Sequence, residues 1–165
     1  MMSRSVRRGI TWIICCMAVL SLPQAGLAQW NGNQIQPATA LSPSVLIQPA
    51  ELVKALQSAR PKPLILNVGP KMLYLQAHIP GAEYIGPGSD PESIKQLHAR
   101  AQSLSHAALI VLYCGCCPWS HCPNVAPAYS ELQRMGFTNI KVLYIADNLG
   151  TDWVYKGYPT ARATN

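Results

Sequence analysis

The sequence predicts an α/β domain, a mainly parallel central sheet with helices on both faces. Three observations predict it. Apolar runs of strand length carry no polar alternation, stretches with helical spacing lie between them, and Gly or Pro closes those stretches. Strands without alternation are expected where both faces of a sheet are covered. Strands joined through helices run parallel by right-handed crossovers.

The first 28 residues stand apart from that domain. Arg4, Arg7 and Arg8 precede an uncharged apolar run from Gly9 to Leu22, then Pro23 and the small-residue site Gly26-Leu27-Ala28. This order is that of a signal peptide cleaved after Ala28. The run is 14 residues long, whereas a membrane-spanning helix needs roughly 20. The expectation is therefore an exported protein, periplasmic or secreted, with no stable membrane anchor after cleavage. The pair Arg7-Arg8 also resembles a twin-arginine signal. Cys15 and Cys16 leave with the segment, and its three arginines take the formal net charge from +6 to +3. What remains has no clustered Lys and Arg interleaved with aromatics, which argues against nucleic acid as a partner.

The remaining 137 residues suit one domain. Residues 29–44, rich in Asn, Gln, Pro and small residues, read as a flexible lead-in. The domain spans 45–160, and 161–165 form a tail. Pro49 to Leu56 has Pro and Glu in its first turn and apolar residues at helical spacing, which predicts a helix. Leu64–Val68 and Leu109–Tyr113 are the central strands, with a helix from Pro91 to Gln102 between them. A helix from Val125 to Met135 ends at Gly136, a C-cap glycine, and Ile140–Ile145 forms a third strand.

Four cysteines remain after the signal, Cys114, Cys116, Cys117 and Cys122, all within nine positions. They cannot staple distant parts of a fold, as a disulfide framework would. Their loop begins where the Leu109–Tyr113 strand ends, the end at which open α/β sheets gather their sites. Cys114 is the expected nucleophile. Unpaired N–H groups at a helix start favour a thiolate, and the same groups would cradle a sulfane sulfur or an oxyanion. Gly115 permits a tight backbone, and Trp119 and Ser120 belong to the same loop.

Several segments in order resemble the rhodanese-like domain family. Leu64-Ile65-Leu66-Asn67-Val68 is similar to its first strand, Ala77-His78-Ile79-Pro80-Gly81-Ala82 to its "GHIPGA" signature, and Val111-Leu112-Tyr113-Cys114-Gly115 to its approach to the catalytic cysteine. Gly136-Phe137, Asn139-Ile140, Trp153 and Gly157-Tyr158-Pro159 match its later segments. The resemblance runs from about Val45 to Pro159 and implies the family's three-layer fold. It also implies a sulfurtransferase-like activity in which Cys114 carries sulfane sulfur as a persulfide. The partners so implied are a small sulfur-containing donor and a thiol acceptor, with no cofactor.

The chain departs from the family pattern in its charges. Asn67 and Gly69 stand where Asp and Arg are usual, and the loop from Cys114 to Asn124, longer than usual, contains no Lys or Arg. An anionic donor such as thiosulfate thereby loses its usual partner. Extra thiols take that place and open other chemistries. Cys114 and Cys117 form a C-x-x-C pair, and Cys116, Cys117 or Cys122 could resolve a persulfide or sulfenate as a disulfide. Cys114, Cys117 and Cys122 with His121 are soft ligands suited to Cu(I) or Zn(II). A local Cys117–Cys122 disulfide, or a catalytically silent binding module, completes the alternatives. His78 reads as a hydrogen-bonded structural residue, His98 and His106 as solvated, and Asp147 and Asn148 as borders of the pocket. Nothing in the pattern indicates an oligomeric state.

Overall fold

The computed structural model describes residues 37–58 and 61–163. The expected signal peptide and residues 29–36 of the lead-in lie outside them. Five strands form one parallel sheet in the order β1-β5-β4-β2-β3: β1 Leu46–Ile47, β2 Leu64–Asn67, β3 Glu83–Tyr84, β4 Ile110–Tyr113 and β5 Ile140–Leu143. The helices are α1 Pro49–Ser58, α2 Lys71–Gln76, α3 Pro91–Ala101 and α4 Val125–Arg134. The predicted strands and helices are all present, with ends displaced by a residue or two. Both edge strands and α2 are additions.

Alternation along β4 explains why its whole run is apolar. Ile110 and Leu112 pack with Leu97 and Ala101 of α3 and with Val125, Ala128 and Leu132 of α4. Val111 and Tyr113 point the other way, against Leu52 of α1 and Trp153. Every residue of β4 is buried, because each face of the sheet has its own apolar layer. Cys114 continues the α4-facing series, so its position follows from the pleat.

Local chemistry sets the helix ends. Asp90 accepts from the Glu92 N–H at 3.1 Å and Pro91 opens α3, satisfying a donor that the helix itself leaves free. At the far end of α4, Gly136 adopts φ +89° and turns the chain toward β5.

Two boundaries differ from expectation. The lead-in was expected to stay flexible to residue 44, but Ala38 is fully buried in the core and its N–H donates to the Cys122 carbonyl at 3.2 Å. Small apolar residues in a Pro-rich stretch carry no period, so only packing identifies this anchor. The tail begins later than expected, since Ala161 exchanges backbone hydrogen bonds with His78 at 2.9 and 2.8 Å.

Candidate active site

The cysteine loop leaves β4 at Tyr113 and enters α4 at Val125. Three backbone bonds pin it. The Leu149 N–H donates to the Gly115 carbonyl at 3.0 Å, the Trp119 N–H to the Ala146 carbonyl at 2.9 Å, and Ala38 holds Cys122 as above. Gly115 has φ +72°, and a Cβ there would lie 2.7 Å from the Leu149 Cβ, so the residue must be glycine on both counts. A short 3-10 turn, Trp119–His121, occupies the middle, and Trp119 packs at an angle on Tyr144.

None of the four described cysteines is disulfide-bonded, and three of their thiols form a chain of contacts. The Cys114 thiol lies 3.1 Å from Cys116 Sγ, and Cys116 lies 3.1 Å from Cys117. The expected Cys114–Cys117 pairing is thus mediated by Cys116, and the Cys117 thiol donates to the His121 carbonyl at 3.8 Å. Ser120 and His121 are exposed and bonded to each other at 2.8 Å. Among the described residues no three His, Cys, Asp or Glu side chains are arranged to hold a metal ion.

One residue organises the sulfurs without having been singled out. Asn124 is buried, and its Oδ1 accepts from the Ser89 N–H at 3.2 Å and the Ser89 hydroxyl at 2.9 Å. That fixes the amide orientation and aims Nδ2 at Cys114 Sγ, 3.2 Å away, and at Cys116 Sγ, 3.8 Å away. Its sequence signal, Asn just before a helix, reads as an N-cap, yet the side chain makes no cap bond. Gly88 completes the arrangement, because a Cβ there would collide with the Asn124 carbonyl.

The thiolate-favouring helix start serves a different cysteine from the one expected. Hydrogen bonds from Cys114 and Cys116, with the N–H groups of Asn124 and Val125, hold Cys122 far below the usual thiol range against the cost of burial. For Cys114 the bond to Cys116 favours the thiolate. Proton sharing with Cys122, burial and the Cys122 charge outweigh it and push the thiol up to about 12. Cys116 is raised by its bonds to Cys114 and Cys122 and then by burial, and Cys117 is pushed up to about 12, first by burial. The four thiols thus titrate as one coupled set, with Cys122 lowered and the other three raised.

Space divides the cysteines as clearly as charge does. Cys114 is 4% exposed, and the cavity beside it, walled by Cys117, Trp119, Cys122 and Val125, measures about 10 Å³, room for about one water-sized atom. Half-buried Cys116 instead lines a groove of about 320 Å³ with Leu73, Gln76, Asn148, Leu149 and Val154. No charged residue lines that groove. Asn148 borders it as expected, whereas Asp147 does not. Larger hollows beside Leu56 and Pro80, about 500 Å³, and beside Tyr144 and Lys156, about 390 Å³, contain no cysteine.

The family model for the rhodanese-like domain matches residues 48–144, more than half of the chain. The chain belongs to the rhodanese-like domain family. The solution structure of the rhodanese-like domain of the Alr3790 protein from Anabaena sp. is 25% identical, with a TM-score of 0.52 over 72% of this chain and 80% of that one. A protein from Bacillus halodurans is similar in fold at 21% identity and a TM-score of 0.56, over 72% of this chain and 77% of that one. So is a thiosulfate sulfurtransferase from Pseudomonas aeruginosa, at 24% identity and a TM-score of 0.51, over 72% of this chain and 19% of that one. No curated protein matches.

The charge departures of this rhodanese-like domain have a steric basis. A Cβ on Gly69 would lie 2.9 Å from the Cys114 carbonyl oxygen and 3.1 Å from its Sγ, so the backbone at 69 fits against the cysteine only without a side chain. Asn67 is 3% exposed and its Oδ1 accepts from the Gly69 N–H at 3.1 Å. A neutral amide there makes this bond without burying a charge. His78 is structural as expected, bonded through Nδ1 to the Tyr74 carbonyl at 2.9 Å and stacked on the Tyr74 ring. His98 is not simply solvated, because it meets Glu131 at 2.9 Å.

Proposed function

We propose that this protein carries sulfane sulfur as a persulfide on Cys114 and delivers it to an acceptor thiol, a sulfurtransferase-like activity. The one-atom cavity beside Cys114 carries the reading. A persulfide adds one sulfur at about 2.05 Å from Sγ, and the space beside this thiol suits one added atom and little else. The Asn124 amide, fixed by Ser89, donates to the Cys114 sulfur itself and favours a charge that develops there. The N-terminal pattern of arginines, apolar run and small-residue site supports action outside the cytoplasm.

The test is mass. Reduced protein incubated with inorganic polysulfide and then gel-filtered gains about 32 Da, one sulfur atom, and Cys114→Ser retains none of it. Full retention by that variant, or no gain in the wild type, would sink the carrier reading. The 3.1 Å approach of Cys114 and Cys116 favours a second reading, a dithiol redox centre. Its signature is a loss of about 2 Da on mild oxidation, regained with reductant, without sulfur uptake.

A further inference from the structure

We propose that Cys116 is the port of the site: sulfur enters and leaves through Cys116 in the uncharged groove, and Cys114 is an inner station reached by relay from it. The inference rests on the carrier reading and goes beyond it by separating storage from exchange. Four observations carry it. Cys114 is closed off, and its cavity admits one atom and no donor molecule. Cys116 lines a groove large enough for a small thiol or an extended thiol-bearing segment. The two sulfurs are 3.1 Å apart, so a sulfur bonded to one at about 2.05 Å stays within about 5 Å of the other. One amide, Asn124 Nδ2, faces both sulfurs, so it can follow the charge from one to the other.

The relay balances without an oxidant or reductant. On loading, the Cys116 thiolate attacks the outer sulfur of a donor persulfide, R–S–SH. A Cys116–S–SH bond forms, the donor S–S bond breaks, and R–S⁻ leaves with the electron pair. The Cys114 thiolate then attacks that outer sulfur, forming Cys114–S–SH and returning Cys116 as the leaving thiolate. Unloading runs the two exchanges backwards, with the acceptor thiolate as the last nucleophile. At each exchange the proton given up by the attacking thiol passes to the leaving thiolate. Sulfur moves in the same oxidation state throughout.

The groove also restricts what can exchange there. With Leu73, Leu149 and Val154 on its walls and only the amides of Gln76 and Asn148 as polar side chains, it holds no cation to offset an oxyanion. The substrate class so favoured is a small or apolar thiol or persulfide, over a donor such as thiosulfate whose oxyanion charge the groove leaves uncompensated.

The experiment follows unloading. Protein loaded with polysulfide and desalted is mixed with 2-mercaptoethanol, a small neutral thiol, and the loss of about 32 Da is timed by acid quench and intact mass. Cys116→Ser, loaded to the same end point by long incubation, is expected to unload at least about tenfold more slowly, roughly 1.4 kcal/mol in barrier. Cys117→Ser is expected to match the wild type. Gln76→Trp, a change at an exposed wall residue that narrows the groove and leaves every cysteine in place, is expected to slow unloading similarly, and Cys114→Ser to take up sulfur only transiently. A Cys116→Ser protein that unloads at the wild-type rate overturns the relay and leaves the carrier reading standing. A wild type that never gains sulfur overturns both.

Discussion

At the scale of single residues, the site depends on two positions whose side chains are chosen by distance. Asn124 must donate to sulfur while its oxygen stays on Ser89. Asn124→Asp keeps an acceptor for Ser89 but buries an acceptor-only carboxylate against the thiols, so the melting temperature should fall. Sulfur uptake should slow about tenfold or more, the worth of one hydrogen bond to a charged group. Timed intact-mass measurement beside a thermal melt checks both halves. Gly115 is the second such position. Gly115→Ala combines a positive φ with a contact of 2.7 Å and should lower stability by at least about 2 kcal/mol. A urea midpoint unchanged from the wild type would contradict that.

At the scale of elements, the start of α4 decides which thiol is charged. The Cys122 thiol is lowered in the folded chain, so its contribution to stability is complete above the unfolded thiol value of about 8.5. It fades as pH falls toward the folded value. Cys114 and Cys117, pushed up to about 12, act the other way: their contribution is present below about 8.5 and is lost as pH rises toward 12. Urea midpoints of the reduced protein should therefore rise from pH 7 to about 8 and fall beyond it. In Cys122→Ser the rising limb should vanish. A rising limb that survives in that variant would mean that the charge sits on another cysteine.

At the scale of the whole molecule, the loop is held by parts far from it in sequence. Ala38 bonds to Cys122, Leu149 to Gly115 and Ala146 to Trp119, so the sulfur cluster is assembled from the front, middle and end of the fold. A chain starting at Val45 should lose the Ala38 anchor, unfold at lower urea than one starting at Gln29, and alkylate faster at Cys122. Equal midpoints and equal alkylation would return residues 38–44 to a lead-in. Leu132→Ala, in the layer that seats α4 on the sheet, should cost about 2–5 kcal/mol by the same measurement.

The strands and helices that build the central sheet were legible in the sequence, because β4 is wholly apolar, β2 and β5 are each interrupted by a single polar residue, and α1, α3 and α4 are periodic with Pro, Asp or Gly marking an end. So were the loop's place beyond a strand end and the family. The two-residue strands β1 and β3 were not legible, since two residues carry no alternation and pair only because β5 and β2 present open edges. Cysteine clustering by itself determined where the chemistry lies. Only the tertiary structure decided that Cys122 takes the helix start, that Cys114 is enclosed beside a one-atom cavity, and that Cys116 meets the groove. Those roles depend on where a pinned backbone points each thiol, and spacing along a chain does not encode direction in space.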